Sequence, residues 1–228
     1  MKDSKKYYAE KLSSERLQMC YEIAPPRVKQ YLDAEVEFVL SKIHPGNSVL
    51  DLGCGYGRVI PKIKSKAGKV IGIDNSLTNL IMGKGFLRNY SRSYFCLMDA
   101  AELGFKDNSF DVVIAIQNGL SAFKVNQVKL INEAIRVTRY GGIVLFSSYS
   151  QKFWRDRLKW FQLQASHELL GEIDYDKTKD GTIICKDGFK ATTISEEYFI
   201  NLVNHMNVKP IITEVDNSSI FFEINKKY

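Results

Sequence analysis

Apolar and polar residues along this chain fall into short blocks whose period changes from helix-like to strand-like and back. Leu12, Leu17, Met19 and Cys20 predict a helix over about residues 5–24. Pro25 and Pro26 interrupt it, because neither offers an amide hydrogen. Val28, Tyr31, Leu32, Val36, Val39, Leu40 and Ile43 then recur at helical spacing, and His44-Pro45-Gly46-Asn47 turns the chain. From Ser48 the blocks alternate. SVLDL, KVIGID (Lys69–Asp74), SYFCLM (Ser93–Met98), FDVVIAI (Phe110–Ile116) and GGIVLFSS (Gly141–Ser148) read as strands. Helices are predicted over Arg58–Lys66 and Leu77–Asn89, and one around Val128, Ile131, Ala134 and Ile135. The run at Phe110–Ile116 is apolar throughout, as in a strand buried on both faces. Strands alternating with helices mean a parallel sheet, and right-handed crossovers put helices on both of its faces.

After Ser148 the rhythm breaks. Residues 151 to about 170 predict a helix carrying Phe153, Trp154, Leu158, Phe161, Ala165 and Leu169. TIICKDGFKATT (Thr182–Thr193) is a hairpin around Lys186-Asp187-Gly188. Ser195 is placed as an N-cap, with Glu196 and Glu197 in the first turn of a helix to about Met206. VKPIITEV and SSIFFEI close the chain, and the Asp216-Asn217 link between them is too short for a parallel crossover, so they pair antiparallel.

With 228 residues and 45% hydrophobic content, one sizeable core is the expectation. The predicted division is an N-terminal helical lid over 1–44 and one α/β domain over 45–228, with an insertion at 151–194 lying over a ligand crevice. No stretch reaches the roughly 20 apolar residues of a membrane span. The charged N-terminus lacks the apolar block of a secretory signal. Cys20, Cys54, Cys96 and Cys185 are scattered without C-x-x-C, which points to a reduced, cytoplasmic protein without disulfides or metal. The formal charge of +6 raises nucleic acid as a partner. The lysines are dispersed, however, with clusters only near the N-terminus and over Lys62–Lys69, and no RNA-binding aromatic signature accompanies them.

Candidate chemistry begins at VLDLGCGYG (Val49–Gly57), a strand followed by Gly53, Gly55 and Gly57. Three glycines at alternate positions indicate a backbone that turns sharply or approaches something closely. The dinucleotide fingerprint G-x-G-x-x-G fails in both frames, because Arg58 or Ile60 stands where its third glycine belongs. No G-K-[ST] follows, which excludes a P-loop. What remains is D-x-G-x-G-x-G, whose acid Asp51 suits a ligand with a positive end.

In these segments the chain resembles the class I S-adenosylmethionine-dependent methyltransferases, of the methyltransferase-11/25-like Rossmann type. VLDLGCGYGR is similar to their glycine-rich first motif, VIGIDNS to their second strand, MDAAELGFKDNSFDVVIA to the third-to-fourth strand stretch and RVTRYGGIVLFSS to the entry into the fifth. The resemblance spans about residues 47–150 and the closing hairpin. It implies a doubly wound, mostly parallel seven-stranded sheet with an antiparallel last strand pair. It implies S-adenosylmethionine as cofactor, without metal. It places Asp74 with Asn75 at the ribose and Asp99 with Ala100 at the adenine; Asp51 or the backbone carbonyls beside it can meet the cofactor's ammonium, and Gly53, Gly55 and Gly57 let the main chain pass close to it. Phe95, Leu97 and Met98 are either adenine walls or core.

Methyl transfer is an in-line displacement on an already activated methyl, so the protein has mainly to align the acceptor and exclude water. Gln117, Asn118 and Ser121 follow the fourth strand at its carboxyl end and are candidates for orienting the acceptor. Asn118 could instead merely turn the chain before Gly119. Tyr149 ends the fifth strand toward the same crevice, Tyr21, just before Pro25–Pro26, is placed to close over the cofactor from the N-terminal helix, and Gln117 is a candidate for contact with the cofactor as well. His167 is the one histidine worth testing as a base. Arg155, Arg157 and Lys159 form either a substrate-facing basic edge or the wet face of a helix, and Trp154, Leu158 and Phe161 either its packed face or an aromatic cage. The expected function is methyl transfer to a small-molecule acceptor held under lid and insertion. The alternatives are an RNA methyltransferase and a non-catalytic S-adenosylmethionine-binding protein. Acceptor atom and oligomeric state stay open.

Overall fold

A computed structural model describes Tyr7 and residues 11–227. Residues 5, 6 and 8–10 of the first expected helix, and the lysines near the N-terminus, lie outside the described residues. Within them the expected helix is interrupted: Tyr7 and Lys11 are helical, residues 12–14 are not, Ser14 sits at φ +54, and α1 runs over Glu15–Glu22. Helix α2 covers Pro26–Lys42, with Pro25 as its N-cap and Pro26 in its first turn, where the missing amide costs nothing.

The sheet follows as β1 (Ser48–Leu52), α3 (Ile60–Lys64), β2 (Lys69–Asp74), α4 (Leu77–Phe86), β3 (Ser93–Leu97) and β4 (Phe110–Ala115). Next come α5 (Gly119–Ala122), α6 (Gln127–Val137) and β5 (Thr138–Tyr149). A 3-10 turn at Gln151–Phe153 leads into α7 (Trp154–Ser166), then β6 (Thr182–Ile184), β7 (Lys190–Thr192), α8 (Glu196–Val203), β8 (Ile211–Val215) and β9 (Ser219–Asn225). Helices α3, α4 and α7 are shorter than the periodicity predicted, and β5 begins three residues earlier than expected. All six residues of β4 are buried, as its continuous apolar run requires. The Ser195 hydroxyl caps α8 by accepting from the Tyr198 amide at 3.1 Å.

The seven strands lie in the order β3-β2-β1-β4-β5-β9-β8. β1 pairs in parallel with β2 and β4, β2 with β3, and β4 with β5, while β9 runs antiparallel to both β5 and β8. The chain winds outward from β1 to β3 and resumes on the other side of β1 with β4. This reversal opens a crevice at the carboxyl ends of β1 and β4. The hairpin β6–β7 is a separate antiparallel pair.

Three apolar clusters hold the molecule. One packs α6 and α8 on a sheet face through Leu130, Ala134, Phe199 and Val203. A second packs α2 and α3 on the sheet through Val36, Val39, Ile60 and Ile63. The third joins the N-terminal segment to residues beyond β5: Leu12, Cys20, Val28 and Tyr31 with Tyr149, Phe153, Trp160, Phe161 and Phe189. That cluster sits over the carboxyl end of the sheet.

Candidate functional site

At the end of β1 the chain enters the glycine loop, where Gly53, Gly55 and Gly57 have φ of +70, +57 and +82. Side-chain-bearing residues rarely adopt this left-handed backbone. The Cys54 amide donates to the Ile73 carbonyl at 2.9 Å, which folds the loop back over β2. A Cβ on Gly53 would lie 2.3 Å from the Phe123 ring, so this glycine gives clearance to an aromatic of the same chain as well as a turn. Gly57 packs on Phe95 and stands off the cavity, unlike Gly53 and Gly55.

Asp74 ends β2 and holds the loop. Its Oδ2 accepts the Gly55 amide at 2.9 Å, and its Oδ1 accepts the Ser76 amide at 2.8 Å and the Asn79 side-chain amide at 3.3 Å. Asp51 is different. It is 3% exposed, lines the cavity, and its Oδ2 has no hydrogen-bond partner. Burial pushes its carboxyl up to about 8, helped by the charge of Asp74 and opposed by Arg58. Arg58 also lines the cavity; its guanidinium lies 4.4 Å from the centre of the Tyr21 ring, and Nη2 is buried without a partner.

Asn75, Met98, Asp99 and Ala100 bring the ends of β2 and β3 to the same cavity, opposite Phe123 and Val125. Asp99 Oδ1 accepts the Ala101 amide at 2.8 Å, which fixes that turn. Of the other two candidates for this wall, Phe95 lies behind Gly57 and Gly83, and Leu97 is exposed.

The other half of the cavity is built around Gln117. It too has a left-handed φ, +56. Its amide donates to Ser147 Oγ at 2.8 Å and Glu35 Oε2 at 3.2 Å, and its side-chain Oε1 accepts the Tyr21 hydroxyl at 2.9 Å. Tyr21 thus ties α1 to the end of β4. Tyr149, Trp160, Phe161, Gln164 and Phe189 complete this half. The indole of Trp160 donates to the Cys20 carbonyl at 2.8 Å, joining α7 to α1.

Three expectations change here. Asn118 does not line the cavity: its side-chain nitrogen donates to the Thr192 carbonyl at 3.1 Å and its oxygen accepts from Ser148 Oγ at 2.9 Å. Both ends of the amide are used to fasten the β7 strand to β5, and Ser121, buried in α5, also stands away. His167 is exposed, with Nδ1 held 2.9 Å from the Leu163 carbonyl, and does not reach the cavity. Arg157 is neither a wet-face residue nor a substrate edge. It is fully buried, bonds the Gly181 and Ala191 carbonyls and Thr193 Oγ1, and lies 4.1 Å from the Tyr149 ring centre. Arg155 and Lys159 are exposed. The sequence reading also passed over Glu35, Arg58 and Gln164. For Gln164 a signal existed: it lies four and three residues beyond Trp160 and Phe161, on their side of the helix.

Comparison with known proteins agrees with this architecture. Residues 49–142 match the family model described as a methyltransferase domain. The chain is 29% identical over 139 residues to 2-methyl-6-phytyl-1,4-hydroquinone methyltransferase of Synechocystis sp., covering 56% of this chain and 42% of that one. It is 37% identical over 116 residues to the ubiquinone/menaquinone biosynthesis C-methyltransferase of Blochmanniella floridana, covering 48% and 45%. The alignments thus span less than half of these relatives' own length. Among solved structures, the PH0226 protein of Pyrococcus horikoshii OT3 superposes with a TM-score of 0.69 at 19% identity, covering 94% of this chain and 99% of that one. Residues 49–142 thus match a methyltransferase domain, and the chain as a whole has the Rossmann-like fold of solved S-adenosylmethionine-dependent methyltransferases.

Proposed function

We propose that this chain binds S-adenosylmethionine across the carboxyl ends of β1 and β2 and transfers its methyl group to a small molecule enclosed beneath α1 and the 151–194 segment. The observation that carries the reading is Asp51, a buried acid that lines the cavity and whose Oδ2 has no hydrogen-bond partner. A buried acid without a partner is costly unless a cation meets it. The cofactor's ammonium fits that need, and the bare backbone at Gly53 and Gly55 fits close approach. When bound, S-adenosylmethionine supplies a methyl on a sulfonium. In this reading Asp74 and Asn75 face the ribose hydroxyls, and Asp99 and Ala100 the adenine. Gln117 and Tyr149 orient the acceptor, while Tyr21 and Trp160 keep water out. Residues 1–44 then serve as lid and 151–194 as a substrate-side insertion of the domain formed by 45–228.

A small acceptor is favoured over RNA because, among the described residues, no lysine lines the cavity and Tyr21, Tyr149, Trp160, Phe161 and Phe189 do. The two named relatives, described as quinone or hydroquinone methyltransferases, are consistent with ring-bearing acceptors. A second reading, a non-catalytic S-adenosylmethionine-binding protein, draws on a specific feature: among the described residues neither histidine nor lysine lines the cavity to serve as a base. A cytoplasmic location accords with the free cysteines Cys20, Cys54, Cys96 and Cys185. Among the described residues no helix is long and apolar enough to cross a membrane.

Calorimetry with S-adenosylhomocysteine tests the donor site. Asp51→Asn is expected to weaken binding by roughly 1–3 kcal/mol; unchanged affinity would overturn the assignment. Asp74→Ala is the poorer probe, because it also releases the glycine loop. Gln117→Ala is expected to lower turnover more than cofactor affinity. Tight binding with no methyl transfer to any offered acceptor would favour the second reading.

A further inference from the structure

On α7, Arg157, Trp160, Phe161 and Gln164 form one buried stripe. Spacings of three, four and seven residues put them on the same face of the helix. Such a stripe normally carries apolar side chains, and each polar group on it needs a partner. Arg157 bonds the Gly181 and Ala191 carbonyls and Thr193, and Trp160 bonds the Cys20 carbonyl. The Gln164 side chain is only 3% exposed, lines the cavity, and makes no hydrogen bond among the described residues. Its amide can donate twice and accept twice. The amide atoms are not among the fully enclosed polar atoms without a partner, so they are open to the cavity, where a ligand can take up that capacity.

The charges around the cavity are segregated. Asp51, Arg58, Asp74 and Asp99 come from the glycine loop and the ends of β1, β2 and β3. No charged side chain lines it from α7 or the β6–β7 hairpin, which contribute Trp160, Phe161, Gln164 and Phe189. A charged acceptor would lose its hydration there without gaining a partner. Flat rings, by contrast, stack against aromatic walls.

We propose that Gln164 is the acceptor-reading residue, and that the acceptor is an uncharged, ring-bearing molecule whose hydroxyl or carbonyl pairs with the Gln164 amide. This rests on the proposed methyltransferase reading, with the donor half of the cavity occupied by the cofactor.

The test uses naphthalene, 2-naphthol and 2-naphthoate as probes, titrated calorimetrically into the full chain with and without saturating S-adenosylhomocysteine. The wild type is expected to prefer 2-naphthol to naphthalene and to exclude 2-naphthoate. Gln164→Leu is expected to cut 2-naphthol affinity about fivefold to tenfold, the equivalent of one neutral hydrogen bond, and to leave naphthalene unchanged. Its melting temperature without ligand is expected to stay within about 2 °C of the wild type, because no hydrogen bond to the Gln164 side chain is lost. Gln164→Met repeats the test with a flexible side chain of similar length. Failure of 2-naphthol to bind, an unchanged ratio of 2-naphthol to naphthalene in both variants, binding of 2-naphthoate, or loss of stability in both variants would each overturn the proposal. Absence of S-adenosylhomocysteine binding counts against the donor-site reading alone, and the probe ratio without it still judges Gln164.

Discussion

Burial pushes the Asp51 carboxyl up to about 8, with Asp74 adding to the shift and Arg58 opposing it. At pH 6.5 the free protein therefore holds this group mainly protonated. An ammonium brought against it favours the carboxylate and expels the proton. Binding of S-adenosylhomocysteine at pH 6.5 is expected to release about one proton. The calorimetric enthalpy should then differ between phosphate and Tris buffers, whose ionisation heats differ. In Asp51→Asn that buffer dependence should vanish. Equal enthalpies in both buffers for the wild type would mean that no cation meets Asp51.

At the level of elements, α7 is fastened to the β6–β7 hairpin by one buried side chain. Arg157 donates to two carbonyls and a hydroxyl there. Arg157→Leu would leave those acceptors dry and unpaired. The expected loss is roughly 2–4 kcal/mol, read as a lower urea midpoint with an unchanged slope. A midpoint within error of the wild type would show that the guanidinium only fills space. Arg157 also marks where the sequence stopped being legible. FWRDRLKWF has charges at helical spacing, and the local pattern reads as a wet face. Its burial depends on a hairpin some 25 residues further on folding over it, as its bond to Gly181 records. Asn118 failed for the same reason, since Ser148 and Thr192 turn its amide away from the crevice. The closing hairpin was legible because its cause is local. Asp216 and Asn217, at φ +55 and +51, lie with Ser218 in a three-residue link from Val215 to its partner Ser219, too short for anything but antiparallel strands. The cavity wall at Asp51, Gly53, Gly55 and Asp74 was legible on similar grounds, since these residues sit at strand ends the apolar pattern marks. The opposite wall is assembled from α1, α7 and the hairpin, whose mutual packing no local pattern encodes.

The chain carries a formal charge of +6, and its lysines are dispersed along the sequence. Lys62 pairs with Asp33, Lys129 with Glu102, Lys152 with Glu214 and Lys186 with Glu172, so much of the positive charge is met by acids spread over the surface. Binding of a generic single-stranded RNA is therefore expected to be weak at ~0.15 M salt; tight binding that competes with S-adenosylhomocysteine would return RNA to the front.

Buried acids shape stability more strongly than these surface pairs. Burial pushes Glu35 up to about 7 and Asp51 up to about 8, from ordinary values near 4. A group raised on folding contributes stability that is complete below its unfolded value and is lost as pH rises through its folded value. Stability should accordingly fall between about pH 5 and 8, by at most ~1.4 kcal/mol per pH unit for each proton involved. The two acids then part company. Asp51 lines the cavity, whereas Glu35 is buried behind Gln117 and does not. A bound cation offsets the loss at Asp51 alone. The rise in melting temperature caused by S-adenosylhomocysteine should thus grow from pH 5 to pH 8 in the wild type and in Glu35→Gln, and stay flat in Asp51→Asn. Without ligand, each variant should show a shallower pH dependence than the wild type. A ligand effect that is independent of pH in the wild type would place the ammonium elsewhere.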